Sequence, residues 1–156
     1  MFKKTLLIVL IGLGLLATAS YYFLKDKSDQ SSDYPMLATA KKTIYINEIP
    51  LTVEIADEPQ EQMQGLSGRE KMADNKGMLF IFPKSFAPSF WMKDMKFSLD
   101  IIWIDENGFI VAISKNVSPN TYPATFSPSS PVKYVLEVNA GWSDKNNIKE
   151  GGIVKY

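Results

Sequence analysis

The chain of 156 residues contains no cysteine and no histidine, and these two absences exclude several kinds of chemistry. A Cys/His zinc site, a thiol nucleophile, a Ser-His-Asp triad and a disulfide framework all require residues that the sequence lacks. Any catalysis would have to use carboxylates, lysine, tyrosine, serine, threonine or a hard cation held by carboxylates. We expect neither a cofactor nor a bound metal.

Excess charge is also missing, because 17 Lys and Arg residues are balanced by 17 Asp and Glu residues. A protein that binds nucleic acid normally carries a basic excess or stripe that neutralises phosphates, so we expect no nucleic-acid partner. The content of 46% apolar and 12% aromatic residues is instead typical of a globular domain with a substantial core.

An uncharged apolar run occupies residues 5–24, directly after two lysines. A run of about 20 apolar residues can span a bilayer as a single helix. The alternative is a cleaved signal peptide, because residues 17–19, Ala-Thr-Ala, match the small-residue cleavage pattern. Both interpretations place the remaining chain outside the cytoplasm of a bacterial cell, since the two lysines should stay inside. The domain would be membrane-anchored through residues 5–24, or secreted after cleavage behind Ala19.

The composition divides the chain into three segments. Residues 1–24 form the signal anchor or signal peptide, and residues 25–39 form a polar, serine-rich linker that cannot bury enough surface to order itself. Residues 40–156 form the folded domain. Residues 34–156 carry 13 basic and 14 acidic side chains, so this part of the chain has no electrostatic bias towards a membrane surface or a polyanion.

Short apolar or alternating runs dominate the folded segment, and turn-forming residues separate them. The pattern predicts a strand hairpin at 43–55, further strands at 78–82, 89–93, 99–105, 109–114, 132–138 and 152–156, a helix at 58–64, a helical turn at 142–147 and a proline-rich excursion at 117–131. We therefore predict an all-β or β-rich α+β domain, preceded by an N-terminal membrane helix. Its architecture should be a small sandwich or a partly open barrel of about seven or eight short strands with one or two short helices.

Three clusters of motifs in this domain are shared with a known family. They are Gly65-Leu66-Ser67-Gly68-Arg69; Gly77-Met78-Leu79-Phe80-Ile81-Phe82 with Phe90-Trp91-Met92-Lys93 and Leu99-Asp100-Ile101-Ile102; and Tyr134-Val135-Leu136-Glu137 with Ala140-Gly141. Over residues 40–156 the chain resembles the domain of unknown function (DUF) 192 family. The resemblance implies a compact β-rich fold, often secreted or membrane-anchored in bacteria, and no established biochemical activity.

The sequence departs from the family pattern at three places. Asp94-Met95 follows Lys93 where the family usually has Asn-Thr, and Phe97-Ser98-Leu99-Asp100 stands where it has Ile-Pro-Leu-Asp. Near the C-terminus, Gly151-Gly152 replaces an expected Gly-Asp. A family site that used that Asn or the late Asp would be altered in this member.

Arg69 is the only arginine among the 17 basic residues, and it lies in a glycine-flanked loop. Its planar fork of donors can grip a carboxylate or a phosphate in a bidentate manner that lysine cannot reproduce. Two interpretations stay open. Arg69 could form an ion pair with an internal carboxylate such as Asp100 or Glu137, or it could contact a ligand.

Asp100 and Glu137 are the candidate catalytic residues, because each lies between apolar neighbours in a predicted strand. Buried acids need partners, and their pKa values rise without them. Two carboxylates in one cleft could act as general acid and base, or could hold a divalent cation. The alternative is that both are structural acids with internal partners.

Trp91 and its neighbours form a candidate ligand-binding surface. Strand alternation places Trp91 and Lys93 on one face, where the indole could stack on a sugar ring while Lys93 and Asp94 hydrogen-bond to the ring edge. Trp103 is predicted to pack in the core. Trp142 lies beside a glycine in a loop, so we predict that it is exposed and include it among the candidate binding residues.

Three functions are compatible with these features. The first is a membrane-tethered extracytoplasmic domain that binds a small polar or carbohydrate-like ligand without turning it over. The second is a carboxylate-dependent hydrolase of envelope material. The third is a scaffold for an unidentified protein partner in the cell envelope.

Overall fold

The computed structural model describes residues 39–156. The predicted membrane anchor or signal peptide, and all but the last residue of the predicted linker, therefore lie outside the described residues. Within residues 39–156, no helix is both long enough and apolar enough to cross a bilayer.

Nine strands and two short helices account for most of the described chain, together with one turn of 3-10 helix at Pro119–Thr121. The strands are β1 (Lys41–Ile46), β2 (Ile49–Ala56), β3 (Lys76–Phe86), β4 (Phe90–Trp91), β5 (Leu99–Ile104), β6 (Ile110–Val117), β7 (Thr125–Phe126), β8 (Val132–Asn139) and β9 (Val154–Lys155). The helices are α1 (Pro59–Gln64) and α2 (Trp142–Lys145). The predicted elements are therefore present, although the strand predicted at 89–93 is reduced to β4. One strand, β7, is additional, and it pairs with β4 in a separate two-stranded ribbon.

Seven strands form one sheet in the order β6-β5-β8-β3-β2-β1-β9, antiparallel except for the parallel pair β2 and β3. The sheet curls into a half-barrel, because the chain next to one edge strand reaches the chain next to the other. Phe109, before β6, bridges Ile153, before β9. The Val154 backbone N–H also donates to the Gly108 carbonyl oxygen over 2.8 Å. The β-rich prediction is thus confirmed, and the curvature corresponds to the partly open barrel.

The central strands β5, β8 and β3 are buried on both faces, as their nearly continuous apolar runs predict. One face carries a core cluster that includes Leu79, Ile102 and Leu136 and is covered by α2. The opposite face carries a second cluster that includes Phe80 and Trp103. Side chains of adjacent residues point to opposite faces of a strand, so the sequence position of each buried acid determines which cluster it joins.

Candidate functional site

A pocket of about 240 Å³ opens between α1, β3 and β4 on the face of the sheet that carries Phe80. Five aromatic side chains line it, together with several polar side chains and one carboxylate. We call this cavity, lined by Phe80, Phe82, Phe86, Phe90, Trp91 and Glu137, the aromatic pocket. A concave, largely apolar site with a few polar groups is the usual form of a small-molecule site.

The aromatic wall is rigid because its rings pack edge to face. Phe80 and Phe82 lie on the same face of β3. The ring centroids of Phe80 and Phe90 are 4.9 Å apart, and the ring planes meet at 85°. Phe90 also packs against buried Trp103 at 5.5 Å and 89°. Phe82 and Phe86 form a similar pair at 4.9 Å and 82°. Perpendicular rings of this kind attract through edge and face charges, which fixes the shape of the wall.

Glu137 extends from β8, the strand between β3 and β5, and only 6% of the residue is exposed. Its register partners are Met78 and Ile101, which offer no charge. Among the described residues, no group donates a hydrogen bond to its carboxylate, and no cation lies within ion-pair distance. Burial raises the pKa of Glu137 to about 8, a rise that the more distant Arg69 only partly opposes.

Trp91 stands at the mouth of the aromatic pocket with 54% of its surface exposed, and its ring lies edge-on to Tyr122 at 6.4 Å. Lys93 is exposed as well, and Met92 between them is buried, but the strand ends at Trp91 and Lys93 lies in the turn that follows. Lys93 and Asp94, however, do not line the pocket.

Lys93 and Asp94 act on the pocket through their backbone. The Lys93 carbonyl oxygen accepts a hydrogen bond of 2.9 Å from the Ser67 hydroxyl, and the Asp94 carbonyl oxygen accepts one of 2.9 Å from the Gly68 N–H. These two bonds fix the loop after α1 against the loop after β4. Gly68 has a φ of +80°, a left-handed conformation that favours glycine.

Arg69 is held by this loop and forms a bidentate ion pair with Glu54 on β2, with both N–H···O distances at 2.8 Å. The Thr39 hydroxyl donates to the same carboxylate over 2.8 Å. The Arg69 hydrogen bonds lower the pKa of Glu54 to about 2 and raise that of Arg69. Of the two open interpretations, the ion pair with an internal carboxylate is therefore present, but its partner is Glu54 rather than Asp100 or Glu137.

Asp100 is completely buried, and three backbone N–H groups satisfy its carboxylate. They belong to Asn116 at 2.9 Å, Gly141 at 3.2 Å and Ser143 at 2.9 Å. Asp100 thereby binds the first turn of α2 to the sheet. In the β5–β8 register, Asp100 pairs with Val138 rather than with Glu137, so the two acids point to opposite faces. They do not face one cleft, and residues 39–156 hold no group of three acids that could bind a metal.

Trp142 is only 8% exposed, so the prediction that it is exposed was wrong. Gly141, with a φ of +81°, turns the chain so that α2 folds back onto the sheet. Trp142 then packs in the cluster that contains Leu136 and Ile148. The predicted burial of Trp103 is confirmed at 1% exposure, and its indole N–H donates to the Ser114 hydroxyl over 3.0 Å.

The sequence interpretation missed the phenylalanines of the pocket. Phe80 and Phe82 belong to a run that predicts a strand covered on both sides, and core packing is the usual reason for such a run. A usable signal was present in the aromatic density, because Phe80, Phe82, Phe86, Phe90 and Trp91 fall within one short stretch.

Fold and pocket together define a class, a half-barrel β domain with an aromatic pocket on one face of the sheet. The profile of the DUF192 family, described as uncharacterised ACR, matches residues 41–156, and the chain belongs to this family. The family resemblance is thereby confirmed. No curated protein matches the chain.

Two solved structures are similar to this chain. One is a protein described as a candidate transcription regulator from Sinorhizobium meliloti 1021, with 33% identity, a TM-score of 0.72, and coverage of 76% of this chain and 95% of that one. The other is a protein of unknown function from Novosphingobium aromaticivorans DSM 12444, with 25% identity, a TM-score of 0.73, and coverage of 79% and 90%. Both similarities support the fold, and neither names a ligand.

Proposed function

We propose that this protein is a binding domain for a small ligand with a polar group and an apolar or ring-shaped body, and that carbohydrate-like molecules are among the candidates. The ligand would occupy the aromatic pocket and contact Glu137 at its base. We further propose that residues 5–24 hold or deliver the domain outside the cytoplasm, where envelope fragments of this size occur.

One observation carries the proposal: Glu137 is a buried acid that accepts no hydrogen bond from residues 39–156, and it lines a cavity together with five aromatic side chains. An unpaired buried carboxyl destabilises a fold by about 1–3 kcal/mol or more, depending on its charge. A ligand that supplies the missing partner would recover that free energy on binding. Acids with pKa values shifted by burial in a cleft are accordingly concentrated at functional sites.

A hydrolase that uses Asp100 and Glu137 together receives no support from the geometry. The two carboxylates lie on opposite faces of the sheet, and three backbone N–H groups already occupy Asp100. A general acid and base must both reach one substrate. Binding without turnover is therefore the function that the pocket supports best.

Protein-partner binding is a second candidate, because large apolar side chains stand exposed around the pocket mouth. Met63 is 83% exposed, Phe86 41%, Trp91 54% and Tyr122 48%. An exposed patch of this kind is a recognised feature of interaction surfaces. The description as a transcription regulator belongs to the Sinorhizobium protein, and we do not extend it to this chain. Residues 34–156 are nearly neutral and offer no basic excess that would favour nucleic acid as the partner.

The proposal is tested by titrating the full-length protein with monosaccharides, amino sugars, amino acids and small amines, followed by ligand-observed NMR and tryptophan fluorescence. We expect part of this panel to bind in a saturable manner. Trp91→Ala should weaken that binding at least about tenfold, because stacking of a ligand on an aromatic side chain contributes on the order of 1–3 kcal/mol. Tyr45→Ala is the matched control, because Tyr45 is exposed to a similar degree and does not line the pocket.

A panel without any binder contradicts the ligand-binding proposal. If in that case crosslinking in intact cells traps one specific protein, and Trp91→Ala abolishes the crosslink, the partner-binding function replaces it. The extracytoplasmic location is tested separately by protease accessibility in spheroplasts, where protection of residues 40–156 would contradict it.

A further inference from the structure

We propose that the ligand of the aromatic pocket is a small organic cation, an ammonium compound whose charge is neutralised by the Glu137 carboxylate and whose substituents contact the aromatic rings. This inference rests on the proposed function and narrows the chemical class of the ligand. Three features of the pocket lead to it: the charge that lines it, the hydrogen-bonding groups left free in it, and the orientation of its rings.

The first feature is charge. Glu137 is the only ionisable side chain among the described residues that line the pocket, and no lysine or arginine lines it. Arg69 is the one cation close enough to affect Glu137, and both of its terminal nitrogens donate to Glu54. The charge of Arg69 is therefore compensated by Glu54. Once ionised, Glu137 therefore carries a negative charge in the pocket that the more distant Arg69 offsets only in part.

The second feature is the supply of hydrogen-bond donors. The Gln62 amide donates to the carbonyl oxygens of Ala56 at 3.2 Å and Ile81 at 2.9 Å, so both of its N–H groups are used. The Ser67 hydroxyl donates to the Lys93 carbonyl oxygen. Gln62 and Ser67 therefore offer only acceptor lone pairs to the pocket, whereas Gln64 and Trp91, which also line it, keep side-chain N–H groups that donate to no described residue. A cationic ligand would meet the acceptors of Gln62 and Ser67 and the carboxylate of Glu137, and the free N–H groups of Gln64 and Trp91 add no competing positive charge.

The third feature is the aromatic wall. Phe80 and Phe90 lie at 85° to each other, and Phe82 and Phe86 lie at 82°, so ring faces are turned in different directions around one cavity. A cation placed against such faces is attracted by the ring quadrupoles, by about 0.5–2 kcal/mol per contact. Aromatic cages of this type bind quaternary ammonium groups, and the 240 Å³ of the pocket admits a ligand of that size.

Binding of a cation would be coupled to the ionisation of Glu137. The register partners of Glu137 are neutral, Met78 on β3 and Ile101 on β5, and Gln62 and Gln64 of α1 are neutral residues that line the same pocket. Among the described residues, Arg69 is the only charged group that acts on the carboxyl. With a pKa of about 8, Glu137 is mostly protonated at neutral pH without ligand. A cation favours the ionised form, so its binding releases a proton and strengthens as the pH rises towards 8.

The test compares choline with its neutral isostere 3,3-dimethyl-1-butanol, by calorimetry and ligand-observed NMR on the full-length protein at pH 6.5 and pH 8.5. Choline keeps its charge at both values, so any pH dependence arises in the protein. We expect choline to bind at least about tenfold more tightly than the isostere at pH 8.5, and about tenfold more weakly at pH 6.5 than at pH 8.5. Glu137→Gln should remove the pH dependence and reduce the preference for choline to the part that the aromatic rings supply, and Tyr45→Ala should preserve both differences.

Equal affinity for choline and its isostere, or choline binding that is independent of pH, overturns the cation inference. The same conclusion follows if neutral sugars bind and choline does not, and in that case the proposed binding function stands. If nothing in either panel binds, the proposed function itself fails. Because the comparison of choline with its isostere uses the unmodified protein, the outcome does not depend on the folding of any variant.

Discussion

Two carboxylates one register step apart on neighbouring strands experience opposite environments in this domain. Asp100 on β5 and Glu137 on β8 are both nearly inaccessible to solvent. Asp100 points to the face covered by α2 and accepts three backbone hydrogen bonds. Glu137 points to the face with the aromatic pocket and accepts none from the described residues. Burial is thus common to a structural acid and a candidate binding acid, and hydrogen-bond satisfaction separates them.

The difference originates in what covers each face. A helix start presents N–H groups without intrahelical partners, and α2 begins where Asp100 can accept from Gly141 and Ser143. The opposite face is covered by aromatic rings, which bring bulk but no hydrogen-bond donors to a carboxylate. A single sheet therefore holds one acid that a helix end completes and one acid that receives no hydrogen bond from the described residues.

Replacing each acid by its amide gives a matched pair of variants, and Asp100→Asn should have the larger effect. Its Oδ1 could still accept from Asn116 and Gly141, but its new N–H₂ group would face the Ser143 N–H, two donors in a closed space. We expect a loss of about 3–5 kcal/mol in the free energy of unfolding, which urea denaturation would measure. Stability within about 1 kcal/mol of the parent protein would contradict the structural role of Asp100.

Glu137→Gln should have the opposite sign, with a dependence on pH. The folded-state pKa of about 8 lies above the ordinary value of 4.5, so the native protein binds the proton more tightly than the unfolded chain does. The free energy of unfolding of the parent protein should therefore fall between about pH 4.5 and pH 8. Glu137→Gln removes that slope, and we expect it to stabilise the fold by about 2–4 kcal/mol at pH 9 and by little at pH 5.

Thermal unfolding of both proteins across this pH range measures the effect. A parallel pH dependence in the parent and the Glu137→Gln variant would mean that a donor pairs with Glu137 in solution, which would remove the contrast with Asp100. Greater stability together with lost ligand binding would instead be the usual trade between stability and function at a binding site.

The sequence predicts the strands and the β-rich class well, because their signals are local. The alternating hairpin and the apolar runs of β3, β5 and β8 depend on neighbours along the chain. The burial of Trp142 was missed, since it depends on Gly141 turning α2 back onto the sheet. The alternation within β5 and within β8 indicates which neighbours share a face with each acid. The register between the two strands, which places Asp100 beside Val138, could not be predicted from the sequence.

The candidate site was predicted only in part for the same reason. Glu137 and Trp91 were selected from the sequence and both line the aromatic pocket, whereas Lys93 and Asp94 lie beside it and contribute backbone carbonyls. The partner of Arg69 could not be predicted, because Glu54 lies 15 residues away on a strand face that its alternation marks as exposed. Long-range contacts of this kind follow from tertiary packing rather than from any local pattern.

Glu54 provides a third acid for the comparison, partly exposed and fully paired, and its replacement should have the smallest effect. Its pKa of about 2 lies below the ordinary value of 4.5, so the ion pair with Arg69 contributes stability above about pH 4.5 and loses it as the pH falls towards 2. We expect Glu54→Gln to cost about 1–2 kcal/mol at pH 7, a value reduced by solvent screening because 23% of the side chain is exposed.

Arg69→Lys is the matched control for Glu54→Gln, since it keeps the charge and removes the bidentate geometry. Both variants should approach the stability of the parent protein only as the pH falls to about 2, as followed by thermal unfolding, because protonated Glu54 no longer forms the ion pair. Glu54→Gln also removes the compensation of the Arg69 charge, which would then act on Glu137 alone. We expect a lower pKa of Glu137 in the Glu54→Gln variant, measured by NMR, because Arg69 would then be free to stabilise the ionised Glu137. An unchanged pKa of Glu137 would show that Glu54 does not control the effect of Arg69 on the pocket acid.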